Sequence, residues 1–214
     1  SVDLINNAVL FAVPDQQPQQ LVLDLALRRE GSVRHMEANV RSLDHRATLT
    51  AIAHGVGNPL KRDSFAGQLY FDINAQNIAP FQSLFSSPPQ MSVKGGIDTQ
   101  IWLAWNSGEF TFEFTLDGKM LEVSAADKSW RFPMQALSLQ ARVLNDKDHW
   151  TVDASDMSLN KGGTTLNIPR LNLVNRGDSL HLLAADIPLA AVNAMLVEMA
   201  LTPEAIADVF AVLN

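Results

Sequence analysis

The feature that most constrains this chain is a two-residue hydrophobic period recurring along most of its length. Leu21, Leu23, Leu25 and Leu27 alternate with Val22, Asp24, Ala26 and Arg28. Phe110, Phe112, Phe114 and Leu116 alternate with Thr111, Glu113, Thr115 and Asp117, and Ile101, Leu103 and Trp105 follow the same rule. So do Leu137, Leu139, Ala141 and Val143, then Leu166 and Ile168, Leu171 and Leu173, and Leu180, Leu182 and Ala184. Successive side chains of a strand point to opposite faces, so strict alternation gives each strand one dry and one wet face. Antiparallel sheets accommodate that arrangement, whereas parallel sheets are usually covered on both sides.

Turn residues separate the runs. Asn106-Ser107-Gly108, Asn145 to Asp148, Lys161-Gly162-Gly163 and Asn175 to Asp178 read as connections, and Asp117-Gly118 reads as a further hairpin. This punctuation, with no strand–helix–strand rhythm, predicts a mainly β fold of about ten strands. The expected architecture is a long, twisted, mainly antiparallel sheet with a few short helices, its apolar faces packed as a sandwich, closed into a barrel or curled into an open trough. Those helices are expected at Pro80 to Phe85, Pro188 to Met199 and Thr202 to Leu213. The last two carry apolar stripes at Leu189, Val192, Leu196 and Met199, and at Ile206, Val209, Phe210 and Leu213. Such stripes are expected to pack on a sheet, because their wet faces carry Glu198, Glu204 and Asp208 instead of the basic residues of membrane-surface helices.

A longer-range similarity divides the chain. Ala75 to Ile78 resembles Ala184 to Ile187, and Leu21 to Leu27 resembles Leu137 to Val143. Two β units are expected on one continuous sheet: residues 1–87, ending in a short helix, and 88–214, ending in two amphipathic helices. Ser1 stands where an initiator Met would, and no basic, then apolar leader follows it. The expectation is an excised segment of a larger protein.

Composition narrows the function. Sixteen Lys and Arg against 23 Asp and Glu give a net charge of −7, which argues against nucleic acid as a partner. Without cysteine there are no disulfides, thiolate metal sites or cysteine nucleophiles. The histidines His35, His45, His54, His149 and His181 form no helical metal-binding pair, so no metal is expected. Gly55 to Arg62 superficially suggests a phosphate loop, but it lacks Gly-Lys-Ser/Thr and contains Pro59. Glu109 with Glu113, or Asp153 with Asp156, are the candidate acid/base pairs, and a solvated polar face is the simpler account of them. No catalytic residue and no cofactor are expected, and the protein is not expected to be an enzyme.

What remains to explain is the apolar face. Ile101, Leu103, Trp105, Phe110, Phe112, Phe114, Leu116, Leu137, Leu139 and Val143 are the candidate lining of a trough filled by something other than protein. Acyl chains are the candidate filling. Each buried methylene contributes ~0.8 kcal/mol, so a dozen give on the order of 10 kcal/mol without any recognisable motif. The alternative is a structural or protein-interaction β-domain whose apolar face is wholly self-buried. An outer-membrane barrel fits less well, because one Tyr and four Trp make poor aromatic girdles.

Two strand-to-helix joints carry a family resemblance. Gln68 to Ile78 leads into Ala79 to Leu84, and Leu180 to Ile187 leads into Pro188 to Asn193. These runs, with Leu201 to Phe210 following, resemble the AsmA-like superfamily in its TamB/YhdP-type branch. The resemblance implies a β-taco trough with an apolar lining in a protein anchored in the inner membrane of Gram-negative bacteria. Such proteins extend through the periplasm toward the outer membrane and are implicated in phospholipid transport between the two. Phospholipid acyl chains are the implied ligand, the membranes are reached through parts of the protein outside this segment, and a monomer is expected. No catalytic residue is brought by the resemblance.

Overall fold

A computed structural model describes residues 2–11, 19–57, 66–78, 81, 91–106, 109–125, 131–146, 149–176 and 179–191. Alternation becomes eleven strands: β1 (Val2–Phe11), β2 (Gln19–Glu30), β3 (Val33–Ser42), β4 (Ala47–Val56), β5 (Ala66–Ala75), β6 (Met91–Asn106), β7 (Glu109–Ala125), β8 (Arg131–Asp146), β9 (His149–Lys161), β10 (Thr164–Arg176) and β11 (Ser179–Ala185). Each is hydrogen-bonded antiparallel to its neighbours in sequence, giving one uninterrupted meander in the order β1 to β11. The sheet is not closed into a barrel, so β1 and β11 remain its edges. Strongly twisted sheets rarely pass about ten strands without curling, and this one forms the expected open trough.

Most of the turn expectations hold. Asn106 pairs with Glu109, Asp146 with His149 and Arg176 with Ser179, each pair bracketing a two-residue connection. Between β9 and β10, Gly162 and Gly163 both have positive φ (58° and 82°), as a two-residue hairpin matched to the strand twist requires. Asp117-Gly118 is a correction: β7 runs straight through it, with Asp117 opposite Asp98 and Ser138, and Gly118 opposite Ile97 and Leu137. Packing is the reason for glycine there. A Cβ on Gly118 would lie 2.1 Å from Cδ1 of Leu121, which is itself buried.

Irregularities bend the long strands. Asn6, Met120 and Asp156 have positive φ (57°, 50° and 52°) and lie at register shifts or unpaired positions in β1, β7 and β9. Such bulges increase local twist and bend the strand that carries them. Opposite Met120, Gly95 has φ 109°, and a Cβ there would come within 2.3 Å of the Met120 carbonyl oxygen. Only glycine permits that approach.

One lengthwise margin of the trough is filled by the chain itself. Leu21, Leu49, Ile73, Ile78 and Phe81 form a buried cluster, with Phe81 fully enclosed. Phe81 reaches this place because Ile78 N–H donates to the Gly95 carbonyl and Phe81 N–H donates to the Ile78 carbonyl. A second, smaller cluster joins Leu166 and Ile168 to Ala191, the last described residue of a helical turn over 189–191. The rest of the expected Pro80–Phe85 and Pro188–Met199 helices, and all of Thr202–Leu213, lie outside the described residues.

Candidate functional site

Register decides whether eleven separate apolar faces become one surface. Paired residues of neighbouring strands share a face, so the side chains can be followed across the sheet. One row reads Val2, Leu27, Met36, Ala53, Leu69, Leu103, Phe112, Val143, Val152, Leu173 and Leu182. The next reads Leu4, Leu25, Ala38, Ala51, Phe71, Ile101, Phe114, Ala141, Ala154, Leu171 and Ala184. Neither contains a polar residue. They run side by side across all eleven strands.

The opposite face differs in kind. Between those rows, but pointing outward, lie Asp3, Ala26, Glu37, Ile52, Tyr70, Trp102, Glu113, Arg142, Asp153, Asn172 and Leu183. Polar neighbours hold one another across the strands there. Arg142 Nε lies 3.1 Å from Glu113 Oε1, and Asn172 Nδ2 donates to Asp153 Oδ1 at 2.5 Å. The Glu113 and Asp153 carboxylates of the two candidate acid/base pairs are thus engaged with Arg142 and with Asn172 and Arg170. Tyr70 donates to Asp72, and burial, with the Asp72 charge added, pushes its phenol above the ordinary range. Asp24 accepts from the Asn6 N–H and pairs with Arg41, which holds its carboxyl below the usual range.

All ten candidate lining residues fall on the apolar face. Leu103 pairs with Phe112, Ile101 with Phe114 and Trp105 with Phe110; Val143 lies opposite Phe112, Leu139 opposite Leu116 and Leu137 opposite Gly118. Trp105 and Phe110 stack at 5.8 Å, and Phe112 and Phe114 tilt against each other at 5.3 Å. Every one of the ten is half-buried, neither enclosed nor fully exposed.

The open volume extends beyond these ten. A cavity of about 940 Å³ lies on the same face from β1 to β6, lined by Val2, Leu27, Met36, Ala53, Leu69, Leu103 and Trp105. It is near the top of the ~300–1,000 Å³ range usual for ligand sites. Its space comes from small residues, since Ala53, Gly55 and Gly67 line it where Phe112 and Phe110 stand in the same rows further along. Sequence reasoning missed this part because alternating alanines look neutral. The signal was present in Leu49-x-Ala51-x-Ala53-x-Gly55, and in Arg29, which continues the phase of Leu21 to Leu27. Among the described residues no group of His, Asp and Glu is arranged to hold a metal ion.

The fold and this face define a class: an open, curled antiparallel sheet with a continuous apolar concave surface and a mixed convex one that carries the charged pairs. Compared with known proteins, the chain matches no family model, no curated protein and no solved structure.

Proposed function

We propose that this chain is a lipid-carrying segment of a bridge-like intermembrane transport protein, holding phospholipid acyl chains along its apolar trough. The observation that carries this reading is the pair of apolar rows crossing all eleven strands with their central residues half-buried. At ~4.8 Å per strand, ten strand spacings make a lane of about 48 Å. The hydrocarbon core of a whole bilayer is only about 30 Å thick. A lane that long suits successive lipids moving along it better than one small ligand. The resemblance of the strand-to-helix joints to the AsmA-like superfamily supports the same reading, and with it a periplasmic setting, in a protein anchored in the inner membrane and extending toward the outer one. No chemical step is required, so the role is non-enzymatic.

The alternative, a self-buried structural β-domain, draws on the enclosed cluster around Phe81. Mass spectrometry of an organic extract of the purified protein, before and after incubation with phospholipid vesicles, separates the two. Phospholipid recovered at one or more molecules per chain is expected. Absence of lipid from both extracts would refute the conduit and favour the closed core.

A further inference from the structure

Charge is distributed over the two faces very unevenly. The chain carries a net charge of −7, yet Asp3, Asp24, Glu37, Asp72, Asp98, Glu113, Asp117 and Asp153 all occupy convex positions in the pairing register. In the row bordering the apolar lanes, the concave face carries Arg29 and Arg34, directly opposite each other on β2 and β3. Two like charges facing each other across strands are destabilising unless something lies between them. Neither arginine has a carboxylate within ion-pair distance among the described residues.

Their surroundings are arranged around a gap. The same row continues through Gly55 and Gly67 to Trp105, so no side chain stands between Arg34 and the indole. Both arginines and both glycines border the 940 Å³ cavity, whose apolar wall begins one pair further along at Leu27 and Met36. Each guanidinium is anchored through one N–H: Arg29 Nε donates to the Gly31 carbonyl at 3.0 Å and Arg34 Nη1 to the Gly57 carbonyl at 2.7 Å. A guanidinium has five N–H groups in a planar fork, suited to the oxygens of a phosphate.

From this juxtaposition we infer that Arg29 and Arg34 form a phosphate-binding rim, which seats the headgroup phosphate of a glycerophospholipid whose acyl chains enter the cavity at Leu27 and Met36. The inference rests on the lipid-carrying reading of the trough and adds a fixed headgroup position at one of its margins. An anion between the arginines converts their mutual repulsion into two charge-assisted contacts. The neighbouring apolar wall makes a lipid phosphate, instead of free phosphate, the occupant to which the site commits.

The test compares the parent with Arg29→Gln/Arg34→Gln. Each protein is incubated with vesicles containing equal amounts of phosphatidylglycerol and diacylglycerol of matched chains, and also with inorganic phosphate. Bound lipid is measured by native mass spectrometry and the bound phosphorus by NMR. The parent is expected to prefer phosphatidylglycerol by about tenfold or more, the effect of losing one charge-assisted hydrogen bond. The double variant should take up diacylglycerol as the parent does, with that preference and the phosphorus shift abolished, and Arg29→Lys/Arg34→Lys should restore part of both. Both arginines are exposed, and relieving their repulsion should leave the melting temperature unchanged or raised. Equal phosphatidylglycerol uptake and an unchanged phosphorus shift in the double variant would overturn the rim while leaving the trough reading intact. Failure of the parent to bind either lipid would overturn both, and binding of inorganic phosphate without lipid would reassign the arginines to a free-anion site.

Discussion

Phe112→Glu places a carboxylate in the middle of the apolar surface, between Leu103 and Val143 and against Phe114. Full burial of a phenylalanine contributes about 1.5–3 kcal/mol, so this half-buried ring contributes roughly 1–2. The contact with Phe114 adds about 0.5–1.5 kcal/mol. In an open trough the new carboxylate keeps access to water, so the total cost stays at about 1.5–3.5 kcal/mol and the sheet still folds. At about 2–4 °C per kcal/mol for a chain of this size, the melting temperature should fall by about 3–14 °C. In a closed core the same carboxylate would be buried without a partner, adding several kcal/mol more. Thr111→Glu, on the convex face, is the control and should change stability by no more than about 0.5 kcal/mol. Thermal melting should be read beside photocrosslinking from position 112 to lipid in vesicle-loaded protein. The expected result is a folded Phe112→Glu protein that has lost most of its lipid, with Thr111→Glu retaining it. A folded Phe112→Glu protein with lipid uptake and transport equal to the parent would refute the assignment of this row to the lipid path.

Two further outcomes follow from local geometry. Gly118→Ala should destabilise by about 1–3 kcal/mol, because the added Cβ meets Leu121 Cδ1 at 2.1 Å and buried Leu121 has little room to move; denaturant unfolding measures this, and a neutral result would show that Asp117-Gly118 is not held inside β7. Asp24 has its folded-state pKa depressed below 3.8 by the Asn6 N–H and Arg41, so its contribution is present above the unfolded value and is lost as pH falls through the folded one. Amide exchange of β1 relative to the rest of the sheet should therefore accelerate below about pH 3.8, and Asp24→Asn should abolish that acid dependence.

Strand existence, turn positions and the apolar identity of each face were legible in the sequence, because side-chain direction in a strand is fixed by parity alone. Phe110, Phe112 and Phe114 had to share a face whatever lay beside them. That Leu103 would stand beside Phe112 was also legible, since Asn106 to Gly108 leaves room for only a tight connection. Asp117-Gly118 shows the limit of local reading. The dipeptide suits a turn, but packing of Leu121 over the glycine and continuous pairing to β6 and β8 outweigh that preference. Tertiary structure alone decided that the registers of eleven strands coincide, so that separate faces join into two unbroken rows. It also decided where the trough is empty and where it is filled: Ala53, Gly55 and Gly67 on β4 and β5 leave a cavity only because the sheet curls around them, and Phe81 closes one margin through hydrogen bonds that begin at Gly95. Arg29 and Arg34 lie five residues apart in the chain, and the hairpin at Gly31 brings them face to face. Parity is a local property that a sequence carries in full, whereas register, curvature and the meeting of like charges depend on how distant strands align.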